Sequence, residues 1–275
     1  MKKQITLLLF CALTLSSPVW GQTKEELENG ISFIDTETYS QEENLKLLKL
    51  YEDLRVADVS DGMDKVGLPN TGLVDPAIHP HWTDYENLSH IIRGIAVTAR
   101  YVPTQRPNRP VEGQDFDEWV GHFYSNYSTE AFTEVIKEGS VVVLDDVEGK
   151  DIGSIGSNNI MIWKRAGAVG VVTDASSRDV DEIAIQKVPL YLRHKGRGIR
   201  PGRNELESVN MPVVIGGVLV RPGDVVVADG DGVVVVPRKV AHQVAEYAHG
   251  VLEKDKAGRR NLYESLGIPL DKTVK

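Results

Sequence analysis

Cysteine is almost absent: the 275-residue chain has one, Cys11. It sits inside an apolar run, Ile5 to Leu15, that follows Lys2 and Lys3 and leads through Ser16, Ser17 and Pro18 to Gly21. That order is the pattern of a secretory leader, so residues 1–21 are expected to be removed, leaving Gln22 first. The bulky Leu8-Leu9-Phe10 ahead of Cys11 makes a poor lipid-attachment site. The expected product is exported, periplasmic or secreted, and free of cysteine. Disulfides, thiolate nucleophiles and cysteine-ligated zinc are excluded together.

Long apolar runs are lacking too. Beyond the leader no segment approaches the ~18 consecutive apolar residues of a spanning helix, so no membrane association is expected after cleavage. Positive charge is scarce: 31 Lys and Arg stand against 40 Asp and Glu, for a formal net charge of −9. An acidic chain has no general affinity for phosphate backbones, and nucleic acid is not an expected partner. One local exception is the run Arg193, His194, Lys195, Arg197, Arg200 and Arg203, which reads as a loop that attracts small anions.

What is present is a chain 41% hydrophobic, enough for a core without covalent staples. Residues 22–55 form a helical extension, in which Leu45, Leu47, Leu48, Leu50 and Leu54 suggest an amphipathic helix ending before Asp58. A second helix is expected from a cap at Ser60 or Asp61 to Gly67. Ile91–Val102 alternates as a strand, and Pro103–Asp117 has loop chemistry. The aromatics Trp119, Phe123, Tyr124 and Tyr127 read as core cover. A helix over Ala131–Lys137 precedes a buried strand at Val141–Leu144, with Asp145 and Asp146 at its carboxyl end.

A strand–helix–strand unit follows, with a helix over Asn158–Arg165 and a strand over Val169–Thr173, then polar residues through Asp181. Short strands at Val213–Ile215, Val218–Val220, Val225–Ala228 and Val233–Val236 are separated by Gly-containing turns, and Lys239–Glu253 closes the chain as a helix. His79-Pro80-His81 reads as surface loop, not as a metal pair.

The chemistry concentrates between Gly153 and Asp179. Gly-Ser-Ile-Gly-Ser-Asn-Asn opens a helix, where free backbone N–H groups and the dipole suit a carboxylate. Arg178 offers a planar fork for a carboxylate or 2-oxo acid, and Asp179 the hard oxygen that Mg²⁺ or Mn²⁺ prefers.

Together with Val59-Ser60-Asp61, Arg93-Gly94-Ile95-Ala96-Val97-Thr98, Val213-Val214-Ile215-Gly216-Gly217, Pro222-Gly223-Asp224 and Ala228-Asp229-Gly230-Asp231-Gly232-Val233, this segment resembles the RraA-like family. That family includes 4-hydroxy-4-methyl-2-oxoglutarate aldolase. The resemblance covers roughly residues 56–240, with 241–275 as a C-terminal helix and tail. It implies an α/β, β-rich swivelling β/β/α sandwich with flanking N- and C-terminal helices, assembled as a homotrimer or hexamer.

The resemblance further implies a metal-dependent lyase acting on a small anionic substrate. Gly156, Ser157, Asn158 and Asn159 would contact that substrate, Arg178 would bind its 2-oxo acid group, and Asp179 would hold the metal. In the family's aldolases a glycine and an acidic residue precede a spacer of the same length as 158–177, and then Arg-Asp. Here Ser157 stands in the acidic position. Asp145 or Asp146, at the end of the preceding strand, is either an ordinary strand-end cap or the substitute for that acid, and a water held by Asp145 or Asp146 is the expected proton acceptor. The competing expectations are a non-catalytic binding or scaffold protein and a lyase acting on acidic sugar fragments.

Overall fold

The computed structural model describes residues 23–148 and 151–275, so the expected leader lies outside the described residues. The chain divides after Asp35 into a short N-terminal unit and a main unit, Thr36–Lys275. The described part of the first holds one short helix, α1 (Lys24–Asn29), closed by a reciprocal Thr23–Glu26 capping box.

In chain order the main unit contains α2 (Gln41–Lys49), α3 (Val56–Lys65), β1 (His79–Pro80), β2 (Ile92–Pro103), α4 (Phe116–Asn126), β3 (Ser140–Asp145), α5 (Ser157–Ala166) and β4 (Ala168–Ser177). It continues with α6 (Val180–Gln186), β5 (Leu190–Lys195), β6 (Asn204–Val209), β7 (Val213–Ile215), β8 (Val218–Val220), β9 (Val225–Asp229), β10 (Gly232–Val236) and α7 (Ala241–Leu266).

One sheet runs in the order β1-β5-β4-β3-β2-β9-β10. The strands β2 to β5 are parallel neighbours, as expected of strand–helix–strand crossovers. The other edge of β2 is shared, its first half pairing β9 and its second half β6, both antiparallel. A separate hairpin joins β7 to β8.

Alternation along the strands sorts the side chains into two faces. Val141 and Val143 of β3, Val172 of β4, Tyr191 of β5 and Val226 and Ala228 of β9 pack with the β7–β8 hairpin. Their sequence neighbours Val142, Leu144, Val171, Leu190 and Leu192 face α5 and α6 through Ile160, Trp163 and Ile183. On β9 and β10, Val225, Val227, Val234 and Val236 pack against α3 and α7. The sheet therefore curls around an apolar interior and carries helices on its outside.

The helices follow from spacing. Val59 and Met63 of α3 meet Ala241, Val244, Ala245, Ala248 and Leu252 of α7, a stripe of 3.6-residue period. Trp163 is fully buried, worth ~1.5–3 kcal/mol as a large apolar side chain.

Several boundaries differ from the sequence expectation. The leucine-rich helix stops at Lys49, because the chain turns through residues 50–54 and a new helix starts at Val56. That start is set by Asp58, whose buried carboxylate accepts the Arg55 backbone N–H at 3.0 Å and the Arg55 guanidinium. Ser60 and Asp61 lie inside α3 and are not its cap. Residues 131–135 form a 3-10 turn in place of the expected α-helix. The strand expected at Val169–Thr173 extends to Ser177, and α4, α6, β5 and β6 occupy segments read as loop or left unassigned.

Candidate active site

Residues 151–156, ahead of α5, lie at the carboxyl ends of the parallel strands, where ligands bind in open α/β sheets. Two bridges hold this segment, Ile152 beside Gly198 and Ile155 beside Ser177. Both isoleucines are buried and clamp the segment, and Ser154 between them is buried on the Asn204 amide. Ser177 Oγ donates to the Ile155 carbonyl at 2.9 Å, and the Arg178 N–H donates to the same oxygen at 2.8 Å.

This stitching brings Gly156, Ser157, Asn159, Arg178 and Asp179 together, with Asn158 exposed on the same first turn of α5. Asp179 Oδ2 accepts the Ser157 backbone N–H at 3.2 Å, one of the orphan donors of that helix. A side chain at position 156 would put its Cβ 2.9 Å from Asp179 Oδ2, and one at position 153 would put it 2.6 Å from Arg178 Cβ. Glycine at both places lets the backbone touch the two charged residues directly.

Arg178 and Asp179 remain available. Arg178 Nε lies 3.8 Å from Asp179 Oδ2, and both side chains stay more than a third exposed. Among the described residues the Arg178 guanidinium has no hydrogen-bond acceptor. Asp179 itself is held at φ +55°, a left-handed conformation uncommon for residues other than glycine.

Asp145 is placed elsewhere. It is on the face that carries Val143, pairs with Arg100 at 3.3 Å, and is pushed up from the ordinary carboxylate range by burial despite that cation. It makes no hydrogen bond or ion pair with Arg178 or Asp179. Its row includes Asp174 of β4 and Arg193 of β5, and Arg193 pairs with Asp75 at 2.7 Å and Glu148 at 3.2 Å. Burial, reinforced by Asp145 and Glu148, pushes the Asp174 carboxyl up to about 7. Its Oδ1 is buried without a hydrogen bond among the described residues. Asp146 is buried as well, with Oδ1 taking the Asn204 amide at 2.8 Å.

The cationic run is largely paired within the fold. Besides Arg193, Arg197 pairs with Asp151, Arg203 donates to the Ile199 carbonyl at 2.8 Å, and Arg200 pairs with Glu130 at 2.7 Å. It is a stitched turn rather than a free basic loop. His79 and His81 each bond a backbone carbonyl, of Ala77 and Val180.

Glu130 and Arg200 were not legible as site residues. Glu130 accepts from Asn159, from Trp163 Nε1 at 2.9 Å and from Arg200, and it lines a cavity of about 410 Å³ that Arg178 also lines. Glu130 and Arg200 lie 70 residues apart in the chain, and no local spacing signals the pair.

Residues 56–235 match the sequence model of the RraA-like family, described as Aldolase/RraA. The chain belongs to the RraA-like family. Among its relatives, a Halalkalibacterium halodurans protein provisionally named 4-hydroxy-4-methyl-2-oxoglutarate aldolase is 29% identical over 130 residues, covering 46% of this chain and 60% of that protein. An Arabidopsis thaliana protein with the same provisional name is 33% identical over 106 residues, 36% of this chain and 58% of that protein. The matches thus span little more than half of these relatives' lengths.

Two crystal structures share the fold. One, an uncharacterized Pseudomonas syringae pv. tomato protein, has TM-score 0.61 and 25% identity, covering 84% of this chain and 98% of the other. The second is Streptomyces coelicolor RraAS2, described as an unusual member of the RNase ES inhibitor RraA protein family. Its TM-score is 0.64 at 22% identity, covering 78% of this chain and 98% of that one. The architecture is the RraA-like α/β fold, a nearly closed β-sheet with helices flanking it.

Proposed function

We propose that this RraA-like protein is a divalent-metal-assisted lyase that cleaves a carbon–carbon bond in a small 2-oxo acid. The observation that carries the reading is the Arg178 guanidinium, with no hydrogen-bond acceptor among the described residues and only a loose 3.8 Å ion pair to the exposed Asp179 carboxylate, which is held against the N-terminal turn of α5. The names of the aldolase relatives support the same reaction class.

Among the described residues no group of three or more His, Cys, Asp or Glu converges to hold a metal. A cation here would rest on Asp179, with water and substrate completing its shell. That suits Mg²⁺ or Mn²⁺, which are commonly bound through one or two carboxylates while Mg²⁺ keeps several waters. When bound, the ion would supply Lewis-acid polarisation of the 2-oxo group.

The protein's own groups then divide the work. Arg178 offers two parallel donors to the substrate carboxylate and fixes its plane. Free N–H groups at the start of α5, with the helix dipole, favour negative charge on the oxygen facing them. In retro-aldol cleavage the 4-hydroxyl gives its proton to water, the C3–C4 bond breaks, and the C4 fragment leaves as a carbonyl product. The electron pair enters the 2-oxo group as an enolate, and protonation at carbon gives pyruvate. Arg178 stabilises that enolate as its charge grows. Asp145, paired with Arg100, is assigned no proton-transfer step.

A second reading rests on Ser157, which removes the acidic group of the aldolase pattern: a binding protein that keeps the anion site without turnover. Purified mature protein incubated with oxaloacetate and 4-hydroxy-2-oxo acids, with and without Mg²⁺, decides between them. Metal-dependent pyruvate release is the expected result. Tight binding of the same acids without release of pyruvate establishes the second reading.

We also propose export, on the Lys2-Lys3 and Ile5–Leu15 pattern. Mature protein should begin near Gln22 in an extracytoplasmic fraction, and intact Met1 in cytosolic protein would overturn it.

A further inference from the structure

The cavity beside Arg178 is larger than a three-carbon fragment needs. Its volume of about 410 Å³ falls among small-molecule sites of ~300–1,000 Å³, and is room for roughly a dozen waters at ~30 Å³ each. One wall is α4, through Tyr124, and the floor is the Glu130–Arg200 pair. Arg178 belongs both to this cavity and to the corner with Asp179, so a ligand whose carboxylate sits on Arg178 can extend its other end into the cavity.

The lining decides what that end is. Both oxygens of Glu130 are engaged, Oε1 by Arg200 and Asn159 and Oε2 by Trp163. Arg200 is 5% exposed, donates to Tyr101 Oη at 3.0 Å and lies 5.1 Å from the centre of the Tyr124 ring. The floor is therefore a neutralised ion pair with no spare cation for a second carboxylate.

What remains unused is hydroxyl chemistry. Tyr124 Oη and Thr129 Oγ1 have no hydrogen-bond partner among the described residues. Ser154 Oγ accepts from Asn204 at 3.1 Å and keeps its own proton to donate.

We propose that this cavity is a subsite for the uncharged, hydroxylated tail of a longer 2-oxo acid, a sugar-acid-type substrate rather than a dicarboxylate. The proposal rests on the lyase reading for the placement of the carboxylate on Arg178. A neutral polar pocket rejects a second carboxylate by its desolvation cost and accepts hydroxyls by pairing them.

The test uses the full mature protein with Mg²⁺ and compares oxaloacetate with 2-oxo-3-deoxygluconate, reading pyruvate release. In parallel, calorimetry measures binding of gluconate, a hydroxylated carboxylate without a 2-oxo group. The expected kcat/KM favours the six-carbon acid by about tenfold or more. Tyr124→Phe and Thr129→Val, each removing a hydroxyl while keeping shape, should each lower that ratio by roughly three- to tenfold, the range of a lost hydrogen bond. Two variants on different segments keep the test intact should one fail to fold.

Cleavage of both acids without the chain-length preference, or with the ratio unchanged in both variants, overturns the subsite and leaves the lyase reading standing. Gluconate binding that weakens in Tyr124→Phe, with no 2-oxo acid cleaved, upholds the subsite and overturns the lyase reading. Neither cleavage nor binding overturns both.

Discussion

Two groups of charges meet at the carboxyl ends of the same parallel strands, on opposite faces, and they are handled in opposite ways. On the α5 side the buried Arg200 is satisfied by the half-buried Glu130, and Arg178 and Asp179, only loosely paired at 3.8 Å, keep more than a third of their side chains exposed. On the hairpin side Asp174 is buried with an oxygen that nothing satisfies among the described residues, next to Asp145 and Glu148. The contrast shows what makes a charge useful to a ligand. A solvated, loosely paired group costs little to keep and is ready to bind, whereas a buried carboxylate without a partner holds its proton instead.

Breaking the satisfied side should give the largest loss of stability. Glu130→Ala leaves the buried Arg200 with only Tyr101 Oη as hydrogen-bond partner, and removing one partner of a largely buried ion pair should cost about 3 kcal/mol. Chemical denaturation should register that loss, and a change below about 1 kcal/mol would show that Arg200 finds another partner. On the opposite face the sign reverses. Folded Asp174 keeps its proton to about pH 7, while the unfolded chain releases it near 3.8. Stability therefore falls as pH rises between those values and is level above them. Asp174→Asn removes the dependence and should raise stability at pH 8 by up to about 4 kcal/mol, with little change at pH 4. Parallel melting curves of wild type and variant at both pH values would contradict this.

Asp179→Asn keeps the shape and loses the charge. Metal-dependent pyruvate release should drop about 100-fold, equivalent to ~2.7 kcal/mol, with the melting temperature essentially unchanged. Equal activity would remove Asp179 from the site. Ser157→Asp sharpens the same corner. Its backbone N–H already donates to Asp179, so a carboxylate there adds a second negative charge beside the first. If the protein acts on hydroxylated acids, their binding should weaken several-fold by like-charge repulsion. A rise in oxaloacetate cleavage would show that the serine had disabled an older aldolase. The smallest effect is expected at the exposed Arg106–Glu205 pair, 2.9 Å apart. Arg106→Ala should cost under about 1 kcal/mol.

How much of this could be read from the sequence depended on whether a contact is local. The strand–helix–strand unit from Val141 to Thr173 is legible because its apolar residues carry their own period, and the Gly156–Asp179 corner because a glycine turn, a helix start and an Arg-Asp pair fall within one short segment. The far end of β4 was missed. Asp174 to Ser177 is polar in sequence, yet it is buried by the loop that folds over it. Continuing the alternation from Val172 would have placed Asp174 on the interior face. Tyr124, Glu130 and Arg200 come from three separate segments, and only the folded chain brings them to Arg178. Asp145 was assigned by its position at a strand end, but alternation along β3 turns it to the face away from α5.

The left-handed backbone of Asp179 has a consequence for anyone engineering this protein. Holding a residue with a Cβ at φ +55° costs roughly 1–2 kcal/mol that glycine would not incur. Asp179→Gly should therefore raise thermal resistance while deleting the carboxylate that the reaction is proposed to need. Selection for heat tolerance alone would enrich that change, so a thermostable library of this scaffold has to be screened for turnover at the same time.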